Sequence, residues 1–413
     1  MLKILSLFGL ATFLALAWAV SENRKRFPWR TVLSGVGLQF LFGLLILKTA
    51  VGQRVFAGFQ AAAVKLLGFA EAGTSLVFGP LANQQLMGEK FGPENAFVFV
   101  VVISGTIILV ASVSALLYHY GILQKLVQGM AWVMQRVMRT SGSESLAAAA
   151  NIFMGQTEAP LVVKPYLTKM TRSELLALMT GGMATIAGGV LAAYVSFGIN
   201  AGHLLTASIM SAPAALLIAK IMLPESGASE TGAGATASTE RETVNGLDAM
   251  CQGAGDGMKL SINVMAMLIA FTAFVAMANY LLSLLVGVVG WETEKPLQVF
   301  LGYLNWPFAF LMGIPAGDCL TVGQAMGERI VLNEFIGYLT LSGAAETLQP
   351  RSFTIATYAL CGFANFASIA IQIGGISALA PERRADLAKL GLRSMLGGVL
   401  ASYTTAAVAG ILL

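Results

Sequence analysis

The amino-acid sequence predicts an all-α polytopic membrane protein. Of its 413 residues 56% are hydrophobic and only 11% are charged, and the mean hydropathy is +0.76. A soluble domain has about twice this share of charged residues. Apolar stretches of about 20 residues, the length that crosses a bilayer, recur along the chain and lead to the same prediction.

The cysteine and histidine counts and the net charge exclude several functions. Three cysteines without CxxC spacing and two histidines supply neither a disulfide framework nor a four-ligand metal site. The net charge of +4 is small for this length and implies no nucleic-acid partner. Redox, zinc and nucleic-acid functions are therefore not expected.

Eight apolar stretches are long enough to span a membrane. They cover residues 2–20, 31–51, 96–118, 174–197, 204–223, 258–288, 353–378 and 390–413. The first also has features of a cleaved signal peptide, a weak basic start at Lys3 and small residues at Ala17 and Ala19. Its length and the basic segment that follows at once favour a membrane helix instead.

Lysine and arginine residues set the predicted orientation. They are dense between spans one and two, three and four, five and six, and seven and eight, and sparse in the other connections. Basic residues concentrate on the inner side of a membrane. Both termini are therefore expected on the outer side.

Three connecting segments do not span. Residues 121–140 place apolar side chains three and four apart, with polar residues such as Lys125 and Arg136 elsewhere, which predicts an amphipathic helix in the membrane interface. Residues 55–73 predict a similar helix on the outer side. The stretch 225–243, rich in Gly, Ser, Thr and Glu, predicts a flexible inner loop between two halves of the chain.

The segment 143–170 is interrupted. A ten-residue apolar piece, SLAAAANIFM, is followed by GQTEAP at 155–160 and by a second short apolar piece. Neither piece can span, and irregular backbone at membrane depth is tolerated only where it lines a protein cavity. We therefore expect a re-entrant hairpin, with Pro160 in the first turn of its second half-helix and Glu158 at its tip.

The second half of the chain repeats this plan. DCLTVGQAMGERIVL at 318–332 is short and interrupted by glycines, NEF places Glu334 at a tip, and IGYLTLSGA at 336–344 is again too short to span. Each hairpin is followed by an Arg-Ser pair and a span that contains glycines. Since the two hairpins enter from opposite sides, the halves are predicted to be inverted repeats, an arrangement that indicates the substrate site of a secondary transporter.

The two tip glutamates are the main candidate functional residues. An intramembrane carboxylate costs several kcal/mol unless it faces a polar cavity or a partner. We expect Glu158 and Glu334 to face one shared cavity. The alternative is that each caps the N-terminus of a half-helix.

These residues resemble the concentrative nucleoside transporter family. The resemblance lies in GQTEAPLVVKPYL at 155–167, NEF at 333–335 and ALCGFANFASIAIQIGGISALAPERR at 359–384, and in outline it covers nearly the whole chain. It implies a bacterial inner-membrane symporter for nucleosides, coupled to sodium or protons. It also implies a homotrimer of the elevator type, in which a transport domain slides along a fixed scaffold.

The resemblance also implies a division of the chain. The scaffold comprises 1–120, with the first three spans and the outer interfacial helix, and 247–290, with the sixth span. The transport domain comprises 121–223 and 291–413, each with an interfacial helix, a hairpin and two spans. A flexible cytoplasmic loop at 224–246 connects the two repeats.

The substrate residues are carried over by position. The nucleobase is implied to contact Gln156, Thr157 and Glu158, between apolar walls at Val190 and Phe363, whereas the ribose contacts Glu334, Asn365 and Ser368. Amide, hydroxyl and carboxylate groups match the mixed donors and acceptors of a nucleoside. Ordinary helix packing is the alternative for the two apolar walls.

The family's sodium site corresponds to Asn151, Met154, Thr185 and Ile186. The methionine and the isoleucine can contribute only backbone carbonyls, which become free where helices break. Hydrogen bonding between neighbouring helices is the alternative for the asparagine and the threonine. A proton-coupled relative would instead need a titratable group, and Glu158 or Glu334 could serve.

Two positions depart from the family pattern. Ala367 stands where a second serine is common, and Gln372 stands where an apolar residue is usual. Because Asn365, Ser368 and Gln372 are spaced i, i+3, i+7, they share a helix face. Gln372 is therefore expected to contact solute or a nearby water.

Two other classes of protein are weaker interpretations. An intramembrane aspartyl protease would use PAGDCL at 315–320, but Asp318 has no second aspartate in a matching motif. A channel fits less well, because a sealed pair of tip carboxylates and an interfacial helix before the first hairpin suit alternating access better. A non-enzymatic, sodium-coupled nucleoside transporter is the prediction.

Overall fold

The computed structural model describes residues 1–92, 98–232, 234–235, 243–287, 293 and 295–413. Within this part of the chain all regular structure is helical, in eighteen α-helices joined by short 3-10 turns. The helices are α1 Leu2–Ala19, α2 Trp29–Lys48, α3 Ala50–Phe78, α4 Gln84–Phe91, α5 Phe99–His119, α6 Ile122–Met138, α7 Gly142–Ala150, α8 Ala159–Val162, α9 Arg172–Ala184, α10 Gly188–Ser196, α11 Ala201–Met222, α12 Gly246–Gly287, α13 Pro296–Leu311, α14 Cys319–Val331, α15 Glu334–Gly343, α16 Pro350–Leu360, α17 Phe366–Leu379 and α18 Arg384–Leu412.

Among the described residues, eight helical segments are long and apolar enough to cross a membrane. Seven of them overlap predicted spans. The eighth is built on α3, which at 29 residues is longer than the interfacial helix predicted at 55–73. The predicted span 353–378 is instead divided into α16 and α17, of 11 and 14 residues, so neither half reaches spanning length.

The sixth span starts earlier than predicted. Its helix α12 begins at Gly246, twelve residues before the predicted start, and runs for 42 residues. The added N-terminal turns contain Asp248 and Asp256, which lower the local hydropathy and hide the helix from a search for apolar runs.

Both re-entrant segments fold as two consecutive short helices. In the first, α7 ends before the tip and α8 begins at Ala159, with Pro160 in its first turn as expected. In the second, α14 is one continuous helix, contrary to the predicted glycine interruption. Gly323 instead lets α13 pack closely, because a Cβ there would lie 2.6 Å from the carbonyl oxygen of Gly302.

The spans that follow the hairpins are broken, and their breaks contact each other. α9 and α10 separate at 185–187, and α16 and α17 separate at 361–365. Gly362 has φ +150°, and a Cβ there would lie 2.7 Å from the carbonyl oxygen of Met183. Only glycine accommodates both this backbone and this contact. The order of hairpin, broken span and long helix thus occurs twice, ending in α11 and α18.

The loop after α11 is docked rather than free over its described part. Lys220 pairs with Glu144 at 2.6 Å and Glu225 at 3.1 Å. Gly142 at the start of α7 donates its N–H to the Thr231 carbonyl at 2.8 Å. Residues 225–232 are therefore not a flexible loop. They accept hydrogen bonds from N–H groups at the start of α7 that have no partner within that helix. Residues 233 and 236–242 lie outside the described residues.

Candidate solute site between the hairpin tips

The two hairpin tips and the two broken spans enclose one cavity of about 830 Å³. Every residue that the sequence assigned to substrate lines it. They are Gln156, Thr157 and Glu158 from the first tip, Glu334 from the second, Val190 from α10, and Phe363, Asn365 and Ser368 from the second break. Residues separated by up to 212 positions in sequence thus meet, because the first hairpin tip contacts the break between α16 and α17.

The opposite wall of the cavity comes from α5 and α12. Polar residues of α12, Gln252, Asp256 and Asn263, line it and were not predicted. Their spacing of i, i+4 and i+11 places them on one helix face. This spacing of polar residues within an apolar segment could have predicted a cavity-facing side of α12. The cavity continues to His119 and Thr243, which are hydrogen-bonded to each other at 2.7 Å.

Glu334 is held by side chains of other helices as well as by its own backbone N–H. The side-chain cap of α15 is Asn333 and not Glu334, because Asn333 accepts the N–H of Ile336 at 3.1 Å. Tyr194 donates its hydroxyl to one carboxylate oxygen at 3.0 Å, and Asn365 donates its amide to the other at 3.1 Å. The residue is only 4% exposed, and two side chains from other elements donate to its carboxylate.

Glu158 has a different environment. It stands at the N-cap position of α8 but makes no side-chain capping hydrogen bond. Its carboxylate accepts the N–H of Gly155 at 3.2 Å, which closes the tip, and the residue is exposed to the cavity. Two glutamates at equivalent places therefore differ, one engaged by protein donors and one open to a solute.

The remaining polar residues connect the first tip to α17. Asn365 accepts the N–H of Ser368 at 2.9 Å and caps α17, and Gln156 donates its amide to the Ser368 hydroxyl at 2.9 Å. Gln372 does not line the cavity, contrary to expectation, and instead contacts Gln156 from behind. Val190 is buried and Phe363 half-buried, and both also pack among apolar neighbours.

The residues assigned to sodium gather where the first tip meets the first break. The N–H of Gly188 donates to the carbonyl of Phe153 at 3.1 Å, which joins the tip to the start of α10. Asn151 donates its amide to the Ala147 carbonyl at 3.0 Å, and Thr185 donates its hydroxyl to the Gly181 carbonyl at 2.9 Å. Both side chains are 1% exposed.

The oxygen atoms of these two side chains suit a cation. Asn151 and Thr185 direct their hydrogens to carbonyls of their own helices, so their oxygen lone pairs remain available. The Oδ1 atom of Asn151 is buried and has no hydrogen-bond donor. A buried acceptor without a donor is unfavourable unless something else occupies its lone pairs. Met154 and Ile186 are buried beside them.

A helical membrane protein with paired broken elements around a cavity that contains convergent polar groups belongs to the class of secondary transporters. Within that class the family can be named. Residues 8–81 and 203–410 match the N-terminal and C-terminal models of the Na+ dependent nucleoside transporter, and residues 100–201 match the nucleoside recognition model called Gate. The chain belongs to the Na+ dependent nucleoside transporter family, whose members are transporters and not enzymes.

Related proteins cover the chain almost completely. The Bacillus subtilis (strain 168) transporter YutK is 39% identical over 98% of both chains. The rat sodium/nucleoside cotransporter 1 is 39% identical over 99% of this chain, which spans 64% of that protein's length. The solved structure of CNTnw in an inward-facing substrate-bound state superposes with a TM-score of 0.93 at 37% identity, covering 100% of this chain and 98% of the other.

Proposed function

We propose that the protein is a secondary active symporter that imports nucleosides across the bacterial cytoplasmic membrane, driven by a sodium gradient. The observation that carries this proposal is the cavity shared by the two hairpin tips, where carboxylates, amides and a hydroxyl from both repeats converge. An apolar cavity with few convergent polar groups is typical of a small-molecule site.

The polar groups divide by chemistry into two ends of a nucleoside site. Glu334 and Asn365, joined by a hydrogen bond at 3.1 Å, and the adjacent Ser368 bind the ribose hydroxyls. A carboxylate is a good acceptor for vicinal hydroxyls. Gln156, Thr157 and the cavity-facing Glu158 bind the nucleobase edge, and Val190 and Phe363 pack against its faces.

Sodium occupies the junction of the first tip and the first break. Asn151 Oδ1 and Thr185 Oγ1 provide two ligands, and the carbonyls of Met154 and Ile186 provide two more. Oxygen ligands at half-helix ends are how related architectures hold coupling ions. Met154 and Gln156 lie on the same hairpin tip. Sodium binding at Met154 therefore orders the tip segment that faces the solute.

Transport follows an elevator-like alternating-access mechanism in a homotrimer. The transport domain, 121–223 and 291–413, carries the hairpins and moves against the scaffold, 1–120 and 247–290, with 224–246 as the connection. The cavity runs from the tips along α5 and α12 to His119 and Thr243, at the ends of these elements that the positive-inside rule places in the cytoplasm. This state is inward-facing, and both chain termini are periplasmic. This topology treats α3 as the predicted outer interfacial helix and not as a span.

Uptake of radiolabelled uridine or inosine into proteoliposomes, with sodium and proton gradients imposed separately, tests the proposal. We expect saturable uptake that requires an inward sodium gradient. Uptake driven by a proton gradient in sodium-free buffer would overturn the sodium assignment, and non-saturating flux in both directions would indicate a channel. Absence of nucleoside uptake under every gradient would overturn the proposed function.

A further inference from the structure

Gln372 reaches the substrate-facing tip from behind the cavity wall. It lies on α17, is 1% exposed, and donates both hydrogens of its amide. One is donated to the main-chain carbonyl of Met179 on α9 at 3.0 Å, and the other to the side-chain oxygen of Gln156 at 3.2 Å. Gln156 in turn donates its amide nitrogen to Ser368 at 2.9 Å.

These hydrogen bonds determine which end of each glutamine amide is the donor and which is the acceptor. The Met179 carbonyl can only accept, so the Gln372 amide must turn its nitrogen towards it. That nitrogen then requires an acceptor from Gln156, which turns its oxygen to the rear and its nitrogen towards Ser368. A glutamine amide alone could take either orientation, since its two ends have nearly the same shape.

The nitrogen end of Gln156 is the end near the cavity. Ser368 lines the cavity, whereas Gln372 and Met179 do not. The amide nitrogen carries two hydrogens, of which Ser368 takes one. The second remains for a solute, while the Gln156 oxygen is directed away from it.

α9 provides the space for this arrangement. A Cβ at Gly182 would lie 2.6 Å from the Gln372 amide nitrogen and 2.9 Å from the Gln156 Cβ. Both distances are shorter than side-chain contacts allow, so the contact between the two glutamines depends on a glycine at 182.

We propose that Gln372 is a specificity-determining positioning residue: it fixes the Gln156 amide with an N–H donor towards the solute, so that the site prefers nucleobases that present a carbonyl oxygen over those that present an amine. This inference rests on the proposed function. It concerns the pairs uridine against cytidine and inosine against adenosine. The members of each pair differ at the exocyclic group, a carbonyl against an amine, and at the adjacent ring nitrogen, an N–H against an acceptor. A nucleobase carbonyl accepts a hydrogen bond from the Gln156 N–H. A nucleobase amine at the same place is itself a donor and forms no hydrogen bond with this N–H.

Competition for uptake of radiolabelled uridine by the full-length protein in proteoliposomes tests the inference. We expect uridine and inosine to compete about fivefold to tenfold better than cytidine and adenosine, the effect of one hydrogen bond. Gln372→Met keeps the side-chain length and removes both donors, and Gly182→Ala keeps both glutamines and removes their space. Both variants should bring the two ratios close to one.

Two matched variants serve as controls. Gln39→Met changes a fully buried glutamine of α2 outside the cavity, and Gly374→Ala adds a methyl group on α17 where no atom lies within 4 Å. Both should retain the wild-type ratios. A loss of folding or packing would lower uptake of all four nucleosides alike, and only a change of amide orientation changes the ratios.

Two results would overturn the inference while leaving the proposed function intact. The first is a wild-type protein that transports nucleosides with carbonyl-to-amine ratios near or below one, a result that needs no variant. The second is a Gln372→Met or Gly182→Ala protein that keeps the wild-type ratios. A wild-type protein without nucleoside uptake would remove the proposed function and this inference with it.

Discussion

At the scale of single residues, the two tip glutamates have different roles in the structure. Glu334 is held by Tyr194 and Asn365, whereas Glu158 has one bond to the Gly155 N–H and otherwise faces the cavity. A carboxylate with fixed donors is ready to accept further hydroxyl groups without reorganising. Glu334 is therefore the more rigid of the two proposed solute contacts.

Glu334→Gln should weaken nucleoside binding about tenfold to hundredfold, because hydrogen bonds to a charged group are worth about 1.5–3 kcal/mol. The substitution removes the charge from its bonds with Tyr194 and Asn365 and from the proposed ribose contact. Uridine uptake kinetics and binding calorimetry measure the loss. Glu346→Gln, in the exposed turn after α15, is the control. Unchanged affinity in the Glu334 variant would remove Glu334 from the site.

Thr185→Val should raise the sodium concentration for half-maximal uptake about tenfold or more, since it replaces one oxygen ligand by a methyl group of equal size. Asn151→Leu should act in the same direction. Thr180→Val, one turn earlier on α9 and equally buried, is the matched control and should not change the sodium dependence. Uptake with unaltered sodium dependence in both site variants would place the ion elsewhere.

At the scale of elements, the ends of broken helices form one wall of the cavity, and the long helices α5 and α12 form the other. α7 and α8, α9 and α10, and α14 to α17 are all too short to span alone, and their ends meet at the cavity. Helix ends leave carbonyl and N–H groups without partners in the same helix. The helix ends that meet at the cavity therefore make the interior of the protein polar there, while its outer surface stays apolar.

Gly362→Ala should destabilise the fold by about 1–3 kcal/mol, because φ +150° is a strained backbone for alanine, and its Cβ would also collide with the Met183 carbonyl. The melting temperature in detergent measures this effect. Gly374→Ala, inside α17 and with open space around it, should be neutral or slightly stabilising. Equal melting temperatures for both variants would contradict the role of the two breaks as a packed unit.

At the scale of the whole molecule, the cavity separates two groups of helices. The hairpins and broken spans form one wall and α5 with α12 forms the other. In the proposed mechanism these two walls move relative to each other. The cavity already reaches the ends of α5 and α12 at His119 and Thr243. In the proposed inward-facing state, the polar face of α12 is exposed to the cytoplasm.

Asn263→Cys in a Cys251→Ser background should react with a membrane-impermeant maleimide from the cytoplasmic side, and uridine with sodium should slow the reaction. Cys251 is exposed, whereas Cys319 and Cys361 are buried, so the parent without Asn263→Cys is the control and should stay unlabelled. Labelling of right-side-out and inside-out vesicles gives the measurement. Reaction from the periplasmic side alone would contradict both the predicted orientation and the inward-facing state.

Properties that depend on composition along a short segment were predicted from the sequence. The membrane class, the two hairpins and the glutamates at their tips follow from hydropathy, glycine and proline positions and the cost of a carboxylate in lipid. The division of 353–378 into two helices did not, because this stretch was predicted as one span. The motifs at 155–167, 333–335 and 359–384 identified the family and its candidate solute residues. These features need no knowledge of which helix lies beside which.

Properties that depend on partners distant in sequence were decided only by the tertiary structure. Gln372 shares a helix face with Asn365 and Ser368, yet its amide is directed to α9 and to Gln156, 216 positions away. The orientation of a buried amide is set by the donors and acceptors around it, and no local pattern contains them. For the same reason, the polar face of α12 and the docking of 225–232 onto α7 became visible only once the helices were packed together.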